Sequence, residues 1–386
     1  MEKTKPKEKE SKRTVRTFAA ASFLSDMGSD MIYPIWPLFV TTVLQADMTI
    51  LGLIDGLGEA MVSISQAVSG YVSDRIKRRK VFIWAGYACG GLSRIGYALS
   101  TAWQHLIPFK VLDRAGKMRG APRDAIVADV STKENRGRNF GMLRSMDNLG
   151  AVVGIIITIL FFGMLGYTNL FLLAAIPSIL AVIMILGFIK ERNTGKIKIY
   201  KGLSLKQLDG NFKLFLILSA IFALGSFSYS FLLIYAKQFG FSVAFIPILY
   251  LLFTVVAFLF SLPFGKLSDR IGRKAVMMAA FAFWGLVCLT FILVQSYLAI
   301  ILVFVLYGLH KGALDPVQKT LVSELSPEKF RASALGGFQM VVGLAALPAS
   351  LFAGIFWDQI GLLMPLYFSL ALTATALVLM VFVRER

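Results

Sequence analysis

"GYVSDRIKRRK" occupies residues 70–80, and "GKLSDRIGRKA" occupies residues 265–275. The second begins 195 residues after the first. The same offset sets "DVSTKENRG" (129–137) against "ELSPEKFRA" (324–332), and Gly141 against Gly336. A spaced Gly-Asp-Arg pattern returning at equivalent places marks a chain built of two like halves. Each copy sits between long apolar runs. The repeated unit is therefore a set of helices in a membrane, and the basic turn is one of its connections.

Composition agrees. The chain has 386 residues, of which 57% are hydrophobic and 16% charged. Soluble domains carry about 25% charged residues. Runs such as "LFLLAAIPSILAVIMILGFI" at 170–189 exceed the roughly 18 residues that cross a bilayer as a helix. No ten-residue alternation points to a barrel. Cys89 and Cys288 both fall in apolar segments, and His105 and His310 are far apart. They give neither a disulfide framework nor metal-ligand spacing. There is no phosphate-cradling Gly-Lys-Ser/Thr loop, so the expectation is no cofactor and no enzyme.

Twelve spans are predicted, at 15–43, 48–73, 80–100, 102–130, 139–166, 169–189, 212–237, 243–268, 274–295, 297–325, 332–360 and 362–384. Lys and Arg then set their direction. The connections after spans 2, 4, 6, 8 and 10 are all basic, whereas those after spans 1, 3, 5, 9 and 11 have no Lys or Arg. Lys237, after span 7, breaks the pattern and is read as snorkelling from a helix end. Both termini are expected on the cytoplasmic side of the inner membrane. The net charge of +18 is then largely a topology signal, and nucleic acid is excluded as a partner.

"DRAGKMRGAPRDA" (113–125) is a test of this parity. Six of its residues are charged, yet if 102–130 did not cross, every later connection would invert against the charge rule. It must cross, with Gly116, Gly120 and Pro122 predicting a kinked or locally open helix, which is tolerable only where it lines a cavity.

With these motifs the chain resembles the major facilitator superfamily. The resemblance covers both halves and rests on the Gly-x-x-x-Asp-Arg-x-Gly-Arg-Arg/Lys motif between spans 2 and 3, with a degenerate copy between spans 8 and 9. Lys77 stands where the family pattern has Gly, while the second copy keeps Gly272. The resemblance implies an all-α membrane protein of twelve transmembrane helices in two parallel six-helix repeats. The expected divisions are a disordered cytoplasmic tail (1–14), an N-terminal bundle (15–189), a cytoplasmic linker (190–211) and a C-terminal bundle (212–386). It also implies a cytoplasmic gate. Gly70, Asp74, Arg75 and Asp129 are its first set, and Gly265, Asp269, Arg270 and Glu324 its second. In this reading Arg75 pairs with Asp129, and Asp74 accepts from a helix N-terminus.

Ionisable groups crowd the N-terminal half at membrane depth: Asp26, Asp30, Asp55, Glu59, Arg94, Lys110, Asp113, Arg114, Lys117, Arg119, Arg123, Asp124, Arg144 and Asp147. Each charge at a helix centre costs about 2.5–3.5 kcal/mol. So many cannot face lipid, and they must face one another or water. Carboxylates in a low-dielectric site are natural proton carriers. Asp30, Asp55 and Glu59 have no opposite charge on their own helix and are the proton-coupling candidates. Arg114, Lys117, Arg119, Arg123, Arg144, Asp147 and, in the C-terminal half, Gln339 are the substrate-binding candidates. At the repeat offset Asp55 becomes Tyr250 and Glu59 becomes Thr254, so the C-terminal half offers a more apolar wall. The expected function is secondary active transport by alternating access, as a monomer: proton-coupled export of a small amphipathic solute. A proton symporter importing an anionic metabolite is the alternative, and a non-transporting membrane sensor or scaffold is the alternative of another class. Gly150 and Gly154 predict close helix packing on span 5. Two departures weaken a drug antiporter reading: Met118 in span 4, and the missing Pro after Gly154.

Overall fold

The computed structural model describes residues 4–76, 78–132, 135–191, 209–326 and 331–385. Among them there is no strand, and eight helices are long and apolar enough to cross a membrane. Helix α1 (Thr4–Asp30) is followed by a turn and the short α2 (Trp36–Leu38). Pro34 lies in that turn and Pro37 in α2, and each lacks the N–H that a continuing helix needs. Then come α3 (Met48–Ile76) and α4 (Arg79–Ala98). The charged fourth span is three pieces: α5 (Trp103–Ala115), a 3-10 turn (Gly116–Arg119) and α6 (Gly120–Val130). The local opening falls at the glycines, as the sequence predicts. It also lets α4 in close, because a Cβ on Gly116 would meet the Gly86 carbonyl oxygen and one on Gly86 would meet that of Gly116.

The fifth and sixth spans form one run, α7 (Arg136–Phe188), interrupted at Gly166, whose φ of 66° is left-handed. The seventh span is broken: α8 (Gly210–Gly225) stops and α9 (Tyr229–Gln238) restarts. The remaining helices are α10 (Ile246–Ile271), α11 (Arg273–Leu293), α12 (Tyr297–Leu325), α13 (Arg331–Gln359) and α14 (Met364–Val381).

Contacts divide the chain into two compact units. One joins residues 1–36 and 61–199; the other joins 37–60 and 200–386. The division falls within α3, between Ala60 and Met61. In the first unit α1 packs along α7. Gly150 and Gly154 lie against the Phe23 and Met27 carbonyl oxygens, and Thr158 Oγ1 donates to the Met31 carbonyl at 2.7 Å. Phe18, Ile83, Tyr87, Val127, Leu143 and Ile185 form a buried core there. In the second unit Phe222 stacks on Phe281 with centroids 4.0 Å apart, and Phe215 stacks on Phe338 at 5.4 Å.

Candidate transport site

The second unit contains a cavity of about 440 Å³. Its walls are aromatic. Tyr250 meets Tyr229 edge-on with centroids 5.3 Å apart and Phe253 at 4.7 Å; Phe253 meets Tyr307 at 5.0 Å. Trp284, Phe222 and Phe227 complete that lining. His310, buried among Phe222, Trp284 and Tyr307, is oriented by Nδ1–H donating to the Ala280 carbonyl at 2.8 Å. Trp284 Nε1 donates to Ser369 Oγ at 2.8 Å, which fixes the indole.

Charge enters this cavity from two helices. The first part of α3 brings Asp55 and Glu59, and α12 brings Lys311 and Asp315, whose ion pair measures 3.3 Å. Three carboxylates therefore face one ammonium. Asp55 is 5% exposed. It accepts hydrogen bonds from Ser228 Oγ at 2.8 Å and Ser230 Oγ at 2.5 Å. Ser228 belongs to the interruption between α8 and α9, and Ser230 to the first turn of α9. Ser228 caps α9, its side chain accepting from the Ser230 N–H, while its own N–H donates to Ser350 Oγ at 3.2 Å. Backbone groups freed by the break are thus re-satisfied, a condition for irregular backbone at membrane depth. Glu59, one turn beyond Asp55, is exposed and lines the cavity.

The first unit gathers most of the other sequence-predicted groups. Asp26 receives Lys117 at 3.8 Å and Arg119 at 3.6 Å. Arg119 also donates to Ser25 Oγ at 3.0 Å and lies 4.8 Å over the Tyr87 ring. Arg123 donates to Ser22 Oγ at 2.6 Å and Asp124 at 2.9 Å, and reaches Asp147 at 3.8 Å; Arg144 pairs with Asp147 at 3.5 Å. Arg114 donates to the Tyr33 hydroxyl at 3.2 Å, and its Nε lies 3.8 Å from Asp113. Lys110 sits 4.0 Å over the Trp36 ring. Asp30 is half-buried at the end of α1, and Gln339 is exposed on α13, outside the cavity lining.

The two copies of the repeated motif are built alike, with the pairing arginine at the start of the following helix in both. Asp129 pairs with Arg79 at 2.6 Å, where the sequence reading expects Arg75. Glu324 pairs at 3.1 Å with Arg273, where it expects Arg270, and Arg273 also takes Asp269 at 2.8 Å. Arg75 and Arg270 are both exposed. Beyond each arginine, the next helix is capped by a carboxylate from the end of its half. Glu191 accepts the Arg79 N–H at 2.8 Å and the Lys80 N–H at 3.1 Å, and Glu385 accepts the Lys274 N–H. Lys80 Nζ donates to the Leu186 carbonyl at 2.9 Å, and Lys274 Nζ to those of Val381 at 2.6 Å and Val383 at 3.0 Å. The copies correspond at Arg79/Arg273, Lys80/Lys274 and Glu191/Glu385, a spacing of 194 rather than 195. The second copy turns at Gly272, whose φ of 97° is left-handed. Gly70 lies beside Ala121 and Gly265 is open. Lys77 and the Asp74 side chain lie outside the described residues.

Ser228, Ser230, Ser350 and Asp358 are the polar groups that sequence reasoning misses. "GSFSYS" at 225–230, a Gly-Ser cluster inside an apolar run, is the signal for the first two.

A helical membrane protein with a buried cavity and polar groups turned inward is a carrier or channel by architecture. The chain matches the Major Facilitator Superfamily over residues 18–208 and 214–386, and it belongs to that family. It is an integral membrane transporter for a small-molecule solute. A Methanocaldococcus jannaschii protein named as an uncharacterized MFS-type transporter is 39% identical over 367 residues, 92% of each chain. The multidrug resistance protein MdtG of a Rahnella species is 28% identical, over 78% of this chain and 76% of its own. Among solved structures, the nucleoside transporter NupG superposes with a TM-score of 0.73 at 18% identity, over 95% of this chain and 97% of its own; that likeness concerns the fold.

Proposed function

We propose that the protein exports a small amphipathic cation in exchange for protons, working as a monomer by alternating access, with both termini on the cytoplasmic side of the inner membrane. The observation carrying this reading is the chemistry of one cavity. Aromatic faces from five helices surround carboxylates that outnumber the single ammonium. Aromatic faces attract cations, and the attraction grows when water is excluded. The resistance protein named above is consistent with a drug-like solute. Asp55 and Glu59 are the proposed proton carriers. One proton crossing 100 mV supplies about 2.3 kcal/mol, roughly a fifty-fold gradient.

Import of an anion is the weaker reading, because Arg119 and Arg123 are already engaged by Ser25, Asp26, Ser22, Asp124 and Asp147. Those contacts support a role in holding helices. The Arg79–Asp129 and Arg273–Glu324 pairs are the proposed cytoplasmic gate.

Proteoliposomes loaded with ethidium test the reading. An imposed proton gradient should drive ethidium movement, and Glu59→Gln should abolish the driven component while ethidium exchange continues. Driven transport at the parent rate in Glu59→Gln rules Glu59 out. A gradient-driven flux of an organic anion with no flux of ethidium reverses the choice of solute.

A further inference from the structure

The first part of α3 and α13 meet along a seam of small residues. A Cβ on Gly52 would strike the Ser350 carbonyl, one on Gly56 the backbone of Leu347, and one on Gly354 the Met48 carbonyl. Backbones this close gain dispersion contacts but have no side chains to interlock, so such a seam can part as a unit.

Carboxylates fasten it at two places. At the start of α3, Asp358 of α13 accepts the Met48 N–H at 3.3 Å, the Thr49 N–H at 2.7 Å and the Thr49 hydroxyl at 2.7 Å. This is a helix N-terminus capped from another helix. Two turns on, Asp55 accepts the hydroxyls of Ser228 and Ser230, and Ser228 is in turn tied to Ser350 on α13. The second fastening differs from the first because Asp55 also lines the cavity. The carboxylate that closes the seam is the one a solute cation meets.

We propose that Asp55, Ser228 and Ser230 form a clasp that holds α3 on α13 in the empty carrier, and that a solute cation or a proton opens it by taking up the Asp55 charge. The inference rests on the cation reading of the cavity for the identity of the solute, but not for the clasp itself. Hydrogen bonds to an ionised acceptor are about twice as strong as neutral ones, so neutralising Asp55 weakens both serine contacts together. The charged and titratable groups around it are Glu59 on its own helix, His310, Lys311, Asp315 and Tyr307 on α12, Tyr229 on α9 and Tyr250 on α10. From α13 the seam supplies Ala346, Leu347 and Ser350 beside Asp55, and the carboxylate of Asp358 two turns away at the start of α3. An empty, ionised carrier is then held shut, whereas a loaded one can open. That condition makes exchange obligatory and suppresses a solute-free leak.

The test is a reporter thiol at the seam. Cys89→Ser and Cys288→Ala remove the native thiols, and Ala346→Cys places one on the cavity side of the seam. An impermeant maleimide is added from the side of the 44–47 connection, with rates normalised to Val43→Cys, an exposed position. In the parent, labelling should be slow at pH 8 and speed up about tenfold or more with tetraphenylphosphonium or at pH 5.5, the factor produced when two charge-assisted hydrogen bonds each lose about half their strength. Ser228→Ala/Ser230→Ala, and separately Asp55→Asn, should label fast at pH 8 with no solute. Fast labelling in both, with a parent that answers to acid but not to tetraphenylphosphonium, keeps the clasp and removes the cation reading. Parent-like slow labelling in both variants overturns the clasp.

Discussion

Arg94 offers the sharpest test of how the charged unit holds together. It is 2% exposed and bonds two segments besides its own helix. Nη1 donates to the Ala174 carbonyl at 2.8 Å and to Ser178 Oγ; Nη2 donates to the Ser25 carbonyl at 3.1 Å and Ser29 Oγ at 2.8 Å. The guanidinium thereby pins α1 and the second part of α7 to α4. Two acceptors are helix carbonyls, and Ser29 Oγ already donates to the Ser25 carbonyl at 3.2 Å, so Arg94→Met does not strand every partner. Taking one or two bonds to a charged group as the net loss gives about 2–4 kcal/mol. For a unit of this size each kcal/mol moves Tm by about 2–4 °C, so a fall of about 5–15 °C is expected. The assay is thermal unfolding of detergent-purified protein followed by thiol-reactive dye. Arg94→Lys keeps the charge but not the fork and should fall between. Gly28 lies under the same guanidinium, where a Cβ would meet Nη1 and the Ala174 carbonyl. Gly28→Ala and Arg94→Met should therefore combine less than additively. A Tm for Arg94→Met within about 2 °C of the parent would refute the pinning role, since even one lost charge-assisted bond moves it further.

Gly154→Val puts a branched side chain against the Met27 carbonyl and should destabilise the α1–α7 contact by about 1–3 kcal/mol, read by the same unfolding assay; an unchanged Tm would mean that α1 can move aside. Glu385→Gln removes the charge that caps the start of α11, worth about 1 kcal/mol at a helix N-terminus. Amides of its first turn should exchange hydrogen several-fold faster while those at the start of α4, capped by Glu191, stay at the parent rate.

What the sequence shows and hides has physical reasons. Spans and their parity are legible because hydropathy and Lys/Arg placement are properties of composition. The opening of the fourth span is legible because Gly116, Gly120 and Pro122 act locally. The break in the seventh span is not, because "FALGSFSYSFLLIYA" stays apolar and serine hydroxyls disturb hydropathy little. The partners of Asp129 and Glu324 miss by four and three residues, because the motif points to Arg75 and Arg270 at the end of one helix while the pairing arginines, Arg79 and Arg273, start the next. The local pairs Asp113–Arg114 and Asp124–Arg123 follow sequence order. Asp26 with Lys117 and Arg119 does not, since that contact needs α1 laid across the fourth span.

Asp55 and Glu59 shift most between sequence and structure. Counted along the chain they belong to the charged N-terminal half. In the fold the first part of α3 packs with α13, and both carboxylates open into the aromatic cavity of the other unit. That changes their chemistry. Beside Arg119 or Arg123 they would be structural counter-ions, already neutralised. Beside Tyr229, Tyr250 and Tyr307 they are acids in an aromatic box, with Lys311 shared between Asp315 and the cavity. An anion entering there meets net negative charge, whereas a cation meets a carboxylate and a ring face together. The cations of the first unit are meanwhile engaged with their own aspartates and serines. In the proposed exchanger, charge in the first unit therefore holds helices, and charge in the second selects and releases the solute.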